Sequence, residues 1–536
     1  MTEAIPSIIE RDPVTFEVVR SALYATCAEM KSVIMRTSFS PLLSLSADLS
    51  CALLDADGRV VAQGNDIPVH LGAVPFTVRA ALGAFPPDRW RPGDGVILND
   101  PYLGGTHLPD VSLIMPIFHQ GARLGFSLSR VHWPDIGGIA AGSSSVCDEI
   151  IKEGLRIPPL RIIEDGQPRE DLMALILANV RVPEDRYGDF RAQIAGAARA
   201  DLRVGELAAR YGAPVLREVM RAAQAHSRRL VERRLESLPD ADVTHAETLD
   251  GDGVTPDAAP RVCVRIRKTG PRFAVDFAGS SPCVAGPINA PLAVTASAVY
   301  YTLLLFAGGD VPPNEGVYGV AAVSVPEASV VNAVPPFPVV AANTETSNRL
   351  VDILLAALAK AYPERVPAGS YGSACVYTLG GVDPRLGRRF VHYETIGGGA
   401  GATASAAGAS GMRVHMGNTM NLPMEAIEAA IPVRFLKYEI VPASGGAGLH
   451  AGGGGVRKAF EVLADGVEAS ILGERTVTPA HGVGGGGPGA RASFALRGAG
   501  EGIRQLPAKS GPHRLVRGDR VEMTTAGGGG WGTASR

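Results

Sequence analysis

Asn99-Asp100-Pro101-Tyr102-Leu103-Gly104-Gly105-Thr106-His107-Leu108-Pro109-Asp110 leads into an apolar run, and the chain returns through Arg130-Val131-His132-Trp133-Pro134-Asp135-Ile136-Gly137-Gly138. Residues 111–117 and 123–132 read as two strands joined by His119-Gln120-Gly121-Ala122, where Gly121 supplies the positive φ that such a connection often needs. If they pair as a hairpin, the return strand brings His132 back beside Asp110. Regular pairing around a four-residue loop sets the two on opposite faces; a three-residue loop or a bulge sets them on one face. The sequence leaves both registers open. His107 lies one short loop away.

Outward from this hairpin the pattern mixes helices and strands. Asp12-Pro13 opens a helix with a capping residue and proline at the first helical position, and its apolar spacing runs to about Thr37. Residues 49–54 and 60–62 flank the turn signal Asp55-Ala56-Asp57-Gly58. Residues 69–85 read as a helix and 95–100 as a strand. Residues 169–238 are mostly helical with breaks near Pro183 and Gly212, and 261–266 and 273–277 return to strand. Residues 290–307 and 345–361 are helices. Beyond about Pro367 the chain is glycine-rich, and strands such as 435–441 and 469–472 alternate with the glycine clusters. Tight turns and close backbone approaches account for these better than disorder. The fold class is α+β: a β-rich metal-binding part over 1–165, a helical insertion over 166–240, and a glycine-rich β-dominated part over 241–536.

Composition narrows the function. A net charge of −3 without a basic stripe argues against a nucleic-acid partner. The first eleven residues lack the basic start and apolar stretch of a secretory leader. The most apolar stretch, 290–307, is interrupted by Tyr300-Tyr301 and by small and hydroxylated residues, so it reads as a buried helix and not a membrane span. Six scattered cysteines without a CxxC favour reduced thiols and a cytoplasmic chain. No Gly-Lys dipeptide exists, so there is no P-loop, and the glycine runs at 397–401 and 452–455 lack the strand-GxGxxG-helix context of a dinucleotide site.

Two histidines and several aspartates at strand ends and in glycine/proline loops suit a borderline divalent metal: Zn²⁺, Mn²⁺ or Fe²⁺. Asp135 either orients a ligand histidine or acts as a base; alternatively it is a turn aspartate before Ile136-Gly137-Gly138. Asn343, Thr346 and Arg349 open a helix, where an N-terminus with a nearby arginine holds a phosphate or carboxylate; ordinary capping is the equal alternative. Cys51 and Cys147 carry no activating pattern and read as inert.

The chain resembles the hydantoinase B/5-oxoprolinase family over nearly its whole length. The resemblance rests on residues 99–110, on Asp12-Pro13-Val14-Thr15-Phe16-Glu17-Val18 and Asp66-Ile67-Pro68-Val69-His70-Leu71-Gly72, on Asn343-Thr344-Glu345-Thr346-Ser347-Asn348-Arg349, and on Ala526-Gly527-Gly528-Gly529-Gly530-Trp531-Gly532. It implies a divalent metal, Mn or Zn, held by Asp48, His107, Asp110 and His132. It also implies a separate hydantoinase A-type ATPase subunit that binds ATP, hence a hetero-oligomer. The implied activity is hydrolysis of a small cyclic amide whose oxygen the partner has phosphorylated, with Asp135 as proton shuttle. A subunit of an ATP-dependent ketone carboxylase and a metal-stabilised assembly subunit are the alternatives. His450-Ala451, Ser410-Gly411 and His481-Gly482 depart from the family pattern, which bears on the substrate and on C-terminal packing and leaves the metal set intact.

Overall fold

The computed structural model describes residues 7–308, 310–498 and 502–533, so the first six residues of the stretch read for a leader lie outside the described residues. Helix α1 (Pro13–Thr37) starts as expected: the Asp12 carboxylate accepts from the Thr15 amide, and Phe16, Val19, Leu23, Cys27, Met30 and Ile34 form one buried stripe. Strands β1 (Leu49–Asp55), β2 (Val60–Gln63), β3 (Gly95–Leu98), β4 (Asp110–His119), β5 (Ala122–His132), β6 (Leu160–Glu164) and β7 (Gln167–Pro168) form an antiparallel sheet of order β2-β1-β5-β4-β3-β6-β7.

Both faces of this sheet are covered, which explains why its strands read as continuous apolar runs. Alternate side chains enter two cores. Leu49, Cys51, Leu53, Val111 and Leu113 meet α1 and the helices α3 (Pro183–Tyr211) and α4 (Ala213–Glu236). Ala52, Leu54, Leu98, Ile114 and Leu128 meet α2 (Pro68–Ala84) and α5 (Leu292–Ala307). The helical stretch expected over 166–240 therefore covers one face of the N-terminal sheet: Phe190, Val204, Leu216 and Val219 share a core with Phe16 and Leu23. The breaks near Pro183 and Gly212 fall where expected, with Gly212 at φ 83° between α3 and α4.

Strands β8 (Ala241–Thr248), β9 (Arg261–Thr269), β10 (Arg272–Asp276) and β11 (Ala321–Ser324) form a second sheet, order β11-β10-β9-β8. Its parallel pair, β10 and β11, is connected through α5, which is buried beside α2 and α6 (Ser347–Ala359). No helix among the described residues is long and apolar enough to cross a membrane. The remaining strands are β12 (Val376–Asp383), β13 (Arg388–Thr395), β14 (Val433–Ile440), β15 (Val456–Val462), β16 (Val467–Leu472), β17 (Ser493–Arg497), β18 (Ile503–Leu506), β19 (Lys509–Leu515) and β20 (Arg520–Thr524). They pair as β13-β12-β16-β19 and β14-β15-β20-β17-β18.

The glycine clusters between these strands build a lattice of extended segments that is not a sheet. Gly399 donates to Ala526 O, Gly453 to Ala400 O, Gly528 to Gly453 O, Gly446 to Gly528 O and Gly530 to Gly487 O. Segments far apart in sequence thus satisfy each other's backbone groups in several directions at once. The packing is too close for any side chain. A Cβ on Gly528 would stand 2.0 Å from Ala400 O, on Gly453 1.9 Å from Ala409 O, and on Gly399 2.1 Å from Gly453 O. Each obstacle is backbone, which cannot swing aside.

Gly528→Ala is expected to lower stability by about 3 kcal/mol or more, because overpacking against backbone exceeds the usual core penalty. Gly83→Ala meets open space inside α2 and should raise stability by up to about 1 kcal/mol. Urea unfolding of the two variants should show shifts of opposite sign.

Candidate metal centre

The register of β4 and β5 places the centre. The turn between them is Gln120-Gly121, both at positive φ (49° and 78°), a two-residue connection matched to strand twist, in place of the four-residue loop read from sequence. A bulge follows between Ile117 and Phe118, and beyond it Asp110 pairs directly with His132. Of the two registers left open, the bulged one occurs, and both side chains lie on one face. The backbone carbonyl of Asp48, just before β1, accepts from the His132 amide, so the third strand is tied at the same point.

His107, Asp110 and His132 are fully buried and could hold a metal ion. His107 Nε2 is 3.0 Å and His132 Nδ1 3.3 Å from the same atom, Asp110 Oδ1, and His132 Nδ1 is 4.0 Å from Asp48 Oδ2. His107 Nδ1 donates to Val340 O at 3.3 Å, which leaves Nε2 as a lone pair. A lone pair and a carboxylate oxygen at 3.0 Å repel unless a cation or a proton lies between them. Asp110 Oδ1, His132 Nε2 and Asn343 Oδ1 are buried without hydrogen-bond partners, whereas buried polar groups are normally paired. These residues fit a divalent cation in chemistry and in unmet bonding.

The other Asp110 oxygen shows how the site is aimed. Oδ2 accepts from the Thr106 hydroxyl and lies 3.0 Å from His70 Nε2, so the carboxylate cannot rotate Oδ1 away. His70 sits in the first turn of α2, where the buried Arg130 guanidinium donates to its carbonyl at 3.2 Å, to Ser112 Oγ at 2.9 Å and to Thr77 Oγ1. His70 was not among the residues singled out from sequence. The signal for it was its place in Asp66–Gly72, one of the segments that carries the family resemblance.

Burial and the neighbouring charge of Asp110 push the Asp48 carboxyl up to about 8. Burial also works to raise Asp110, but the imidazoles of His107 and His70 outweigh it and hold the carboxyl well below the usual carboxylate range. Burial pushes His132 down to about 4, so its imidazole is neutral at neutral pH, the form that ligates.

A narrow pocket opens onto His132 and Asp48, walled by Asn343, Thr344, Tyr393 and Arg413. The Tyr393 ring lies over His132 at 4.2 Å between centroids. Asn343 Nδ2 is 3.2 Å from His107 Nε2, so this member of the expected anion site lies at the centre. Three other residues are committed elsewhere. Thr346 donates to Ile288 O at 2.7 Å, and Arg349 is buried between Glu474 (2.5 Å) and Glu247 (2.9 Å); neither lines the pocket. Residues Ala342–Thr346 form a π-turn ahead of α6, and of this stretch Asn343, Thr344 and Asn348 line the pocket while Thr346 and Arg349 do not. Asp135 faces Arg181, accepting from its backbone amide and from Nη1 at 3.0 Å, so its carboxylate is satisfied away from the imidazoles. Cys51 and Cys147 are buried, with thiols pushed far up by burial, as inert cysteines should be.

Known proteins share this arrangement of chain. A caprolactamase subunit beta of Pseudomonas jessenii is 33% identical over 484 residues, 88% of this chain and 82% of its own. An uncharacterised protein of Methanocaldococcus jannaschii is 34% identical over 525 residues, 97% of this chain and 91% of its own. 5-oxoprolinase 1 of Arabidopsis thaliana is 31% identical over 97% of this chain, which spans only 42% of that relative's length. The crystal structure of the ATP-dependent caprolactamase from Pseudomonas jessenii matches with a TM-score of 0.89 at 30% identity, over 97% of this chain and 91% of that one. Nucleotide-free acetone carboxylase shares the fold, with a TM-score of 0.89 at 20% identity over 98% of this chain and 76% of that one. The family model for hydantoinase B/oxoprolinase matches residues 12–534, and the chain belongs to that family.

Proposed function

We propose that this chain is the metal-dependent, ring-opening half of an ATP-dependent cyclic amide hydrolase, acting on a lactam or imide whose oxygen a hydantoinase A-type partner subunit has phosphorylated. The observation that carries the reading is Asp110 Oδ1, buried, without a hydrogen-bond partner and facing two imidazole nitrogens. Relatives named 5-oxoprolinase and caprolactamase support the substrate class. An amide is a poor electrophile because resonance stabilises it, and phosphorylating its oxygen supplies a leaving group. A divalent metal, Zn or Mn, makes hydroxide available near neutral pH when bound.

The chain's own residues divide the remaining work. Asp48, His107, Asp110 and His132 hold the ion. Thr106 and His70 fix the Asp110 carboxylate, and the Tyr393 ring shields His132 from bulk water. The pocket beside His132 and Asp48 offers about 30 Å³, room for a water molecule next to the ion, and this opening favours a working site over a closed, purely structural one. The likeness to acetone carboxylase is one of fold, so the ketone carboxylase reading has no residue-level support. The lack of a P-loop is consistent with ATP being bound by the partner.

Asp110→Asn and His132→Ala should each remove most of the metal and abolish partner-coupled ring opening while circular dichroism stays native. Full metal content with full activity would exclude the site. His70→Ala should leave the ligands in place and weaken metal affinity about tenfold to a hundredfold, as loss of an orienting partner does; activity should return with excess metal. Because the metal-free Asp48 carboxyl is raised to about 8, it is mostly protonated at pH 7 and must lose its proton to ligate. Metal uptake should therefore release about one proton per ion at pH 7, and affinity should rise with pH and level off above about 8. Calorimetry in buffers of different ionisation enthalpy measures the release; none at pH 7 would remove Asp48 from the ligand set.

A further inference from the structure

We propose that Arg413 is the oxyanion-binding residue of the metal pocket, placed to hold the phosphoryl oxygens of the activated substrate; the choice of phosphate rests on the function proposed above. Arg413 lies on a strap that separates the inner pocket, with Asp48 and His132, from an outer cleft lined by Ser370, Gly401, His415 and Asn418. Arg413 and Gly417 line both spaces, so Arg413 stands between them.

The strap is fastened along its length. Met412 exchanges backbone hydrogen bonds with Gly398, the Met416 amide donates to Asn348 Oδ1 at 3.2 Å, and the Met420 amide donates to Ser46 O at 2.9 Å. The guanidinium itself is held on two of its three nitrogens. Nε donates to Thr419 Oγ1 at 2.8 Å and to Thr419 O at 3.2 Å, and Nη2 donates to Thr395 O. Nη1 is buried and has no hydrogen-bond partner. The Tyr371 phenol lies beside the guanidinium, within reach of a hydrogen bond to it, and no carbonyl or carboxylate takes Nη1. Here a fixed cation keeps one donor in reserve.

Charge accounting gives the sign of the ligand. With a divalent ion in place, the carboxylates of Asp48 and Asp110 are neutralised, and the imidazoles add no charge. The Arg413 guanidinium is then the surplus charge of the pocket, because no carboxylate pairs with it. Asp352, which faces the outer cleft through His415, is already paired with Arg475. A loaded pocket with a surplus planar cation and a free N–H selects an anion with oxygen acceptors, and phosphate meets the guanidinium geometry well. Arg349, the arginine expected from sequence to do this, has both terminal nitrogens on carboxylates.

The test uses the zinc-loaded full chain, without partner, titrated calorimetrically with inorganic phosphate. Wild type should bind, Arg413→Met should bind about tenfold or more weakly, and Arg413→Lys should fall between, because a charge-assisted bond is lost or loosened. Zinc content measured on the same samples should be unchanged. Equal phosphate binding in wild type and Arg413→Met overturns the proposal. So does parallel loss of zinc in Arg413→Met and Arg413→Lys, which would make the guanidinium a support for Asp48. With the partner subunit and ATP, neutral and carboxylate-bearing lactams should suffer alike in KM for Arg413→Lys; a defect confined to the acid-bearing ring overturns the assignment to phosphate. If phosphate binding depends on Arg413 but no lactam is opened, the oxyanion site stands and the proposed hydrolase function fails.

Discussion

The centre depends on how one carboxylate divides its two oxygens. Thr106 and His70 take Oδ2 of Asp110, and this leaves Oδ1 directed between His107 and His132 with nothing to bond to. A rotatable, hydrated carboxylate would relieve itself. This one is fully buried, so the unmet interaction is carried by the folded state unless a cation or a proton stands between the groups. The surrounding architecture serves that arrangement: Arg130 pins the turn that presents His70, Val340 fixes the His107 tautomer, and the bulge after the β4–β5 turn sets Asp110 across from His132.

The site is assembled from both ends of the chain. Asp48, His70, His107, Asp110 and His132 come from the first sheet and α2, while Asn343, Thr344, Tyr393 and Arg413 come from segments beyond α5. The second group walls the pocket without belonging to the proposed ligand set. The departures from family pattern noted at Ser410, His450 and His481 fall in the C-terminal half.

Much of the fold was legible where period and punctuation agree. The cap at Asp12, the turn at Asp57-Gly58, the positive φ at Gly121, the breaks at Pro183 and Gly212, and the buried helix read over 290–307 and found over Leu292–Ala307 are local signals that the tertiary structure did not override. The facing of Asp110 and His132 could not be read, because a bulge between Ile117 and Phe118 has no composition of its own. The surroundings of Arg349 could not be read either, because its partners Glu247 and Glu474 lie 102 and 125 positions away. Asp135 was open between a base and a turn aspartate; it accepts from the Gly137 amide and pairs with Arg181, forty-six positions away. The glycine lattice was visible as composition, whereas its pairing is entirely long-range.

That lattice has a consequence for the order in which the molecule can be made. Gly399 bonds to Ala526, Gly369 to Gly529 through its carbonyl, and the Thr525 hydroxyl to Gly397 O. A chain emerging from the ribosome can pair the strands of the first sheet and pack α1 on α3 early, because those partners lie within the first 240 residues. The segment after Thr395 closes against Ala526 and Thr525 only when those residues are synthesised. A nascent chain would thus bring Asp110 and His132 together before the glycine lattice beside the pocket wall is complete.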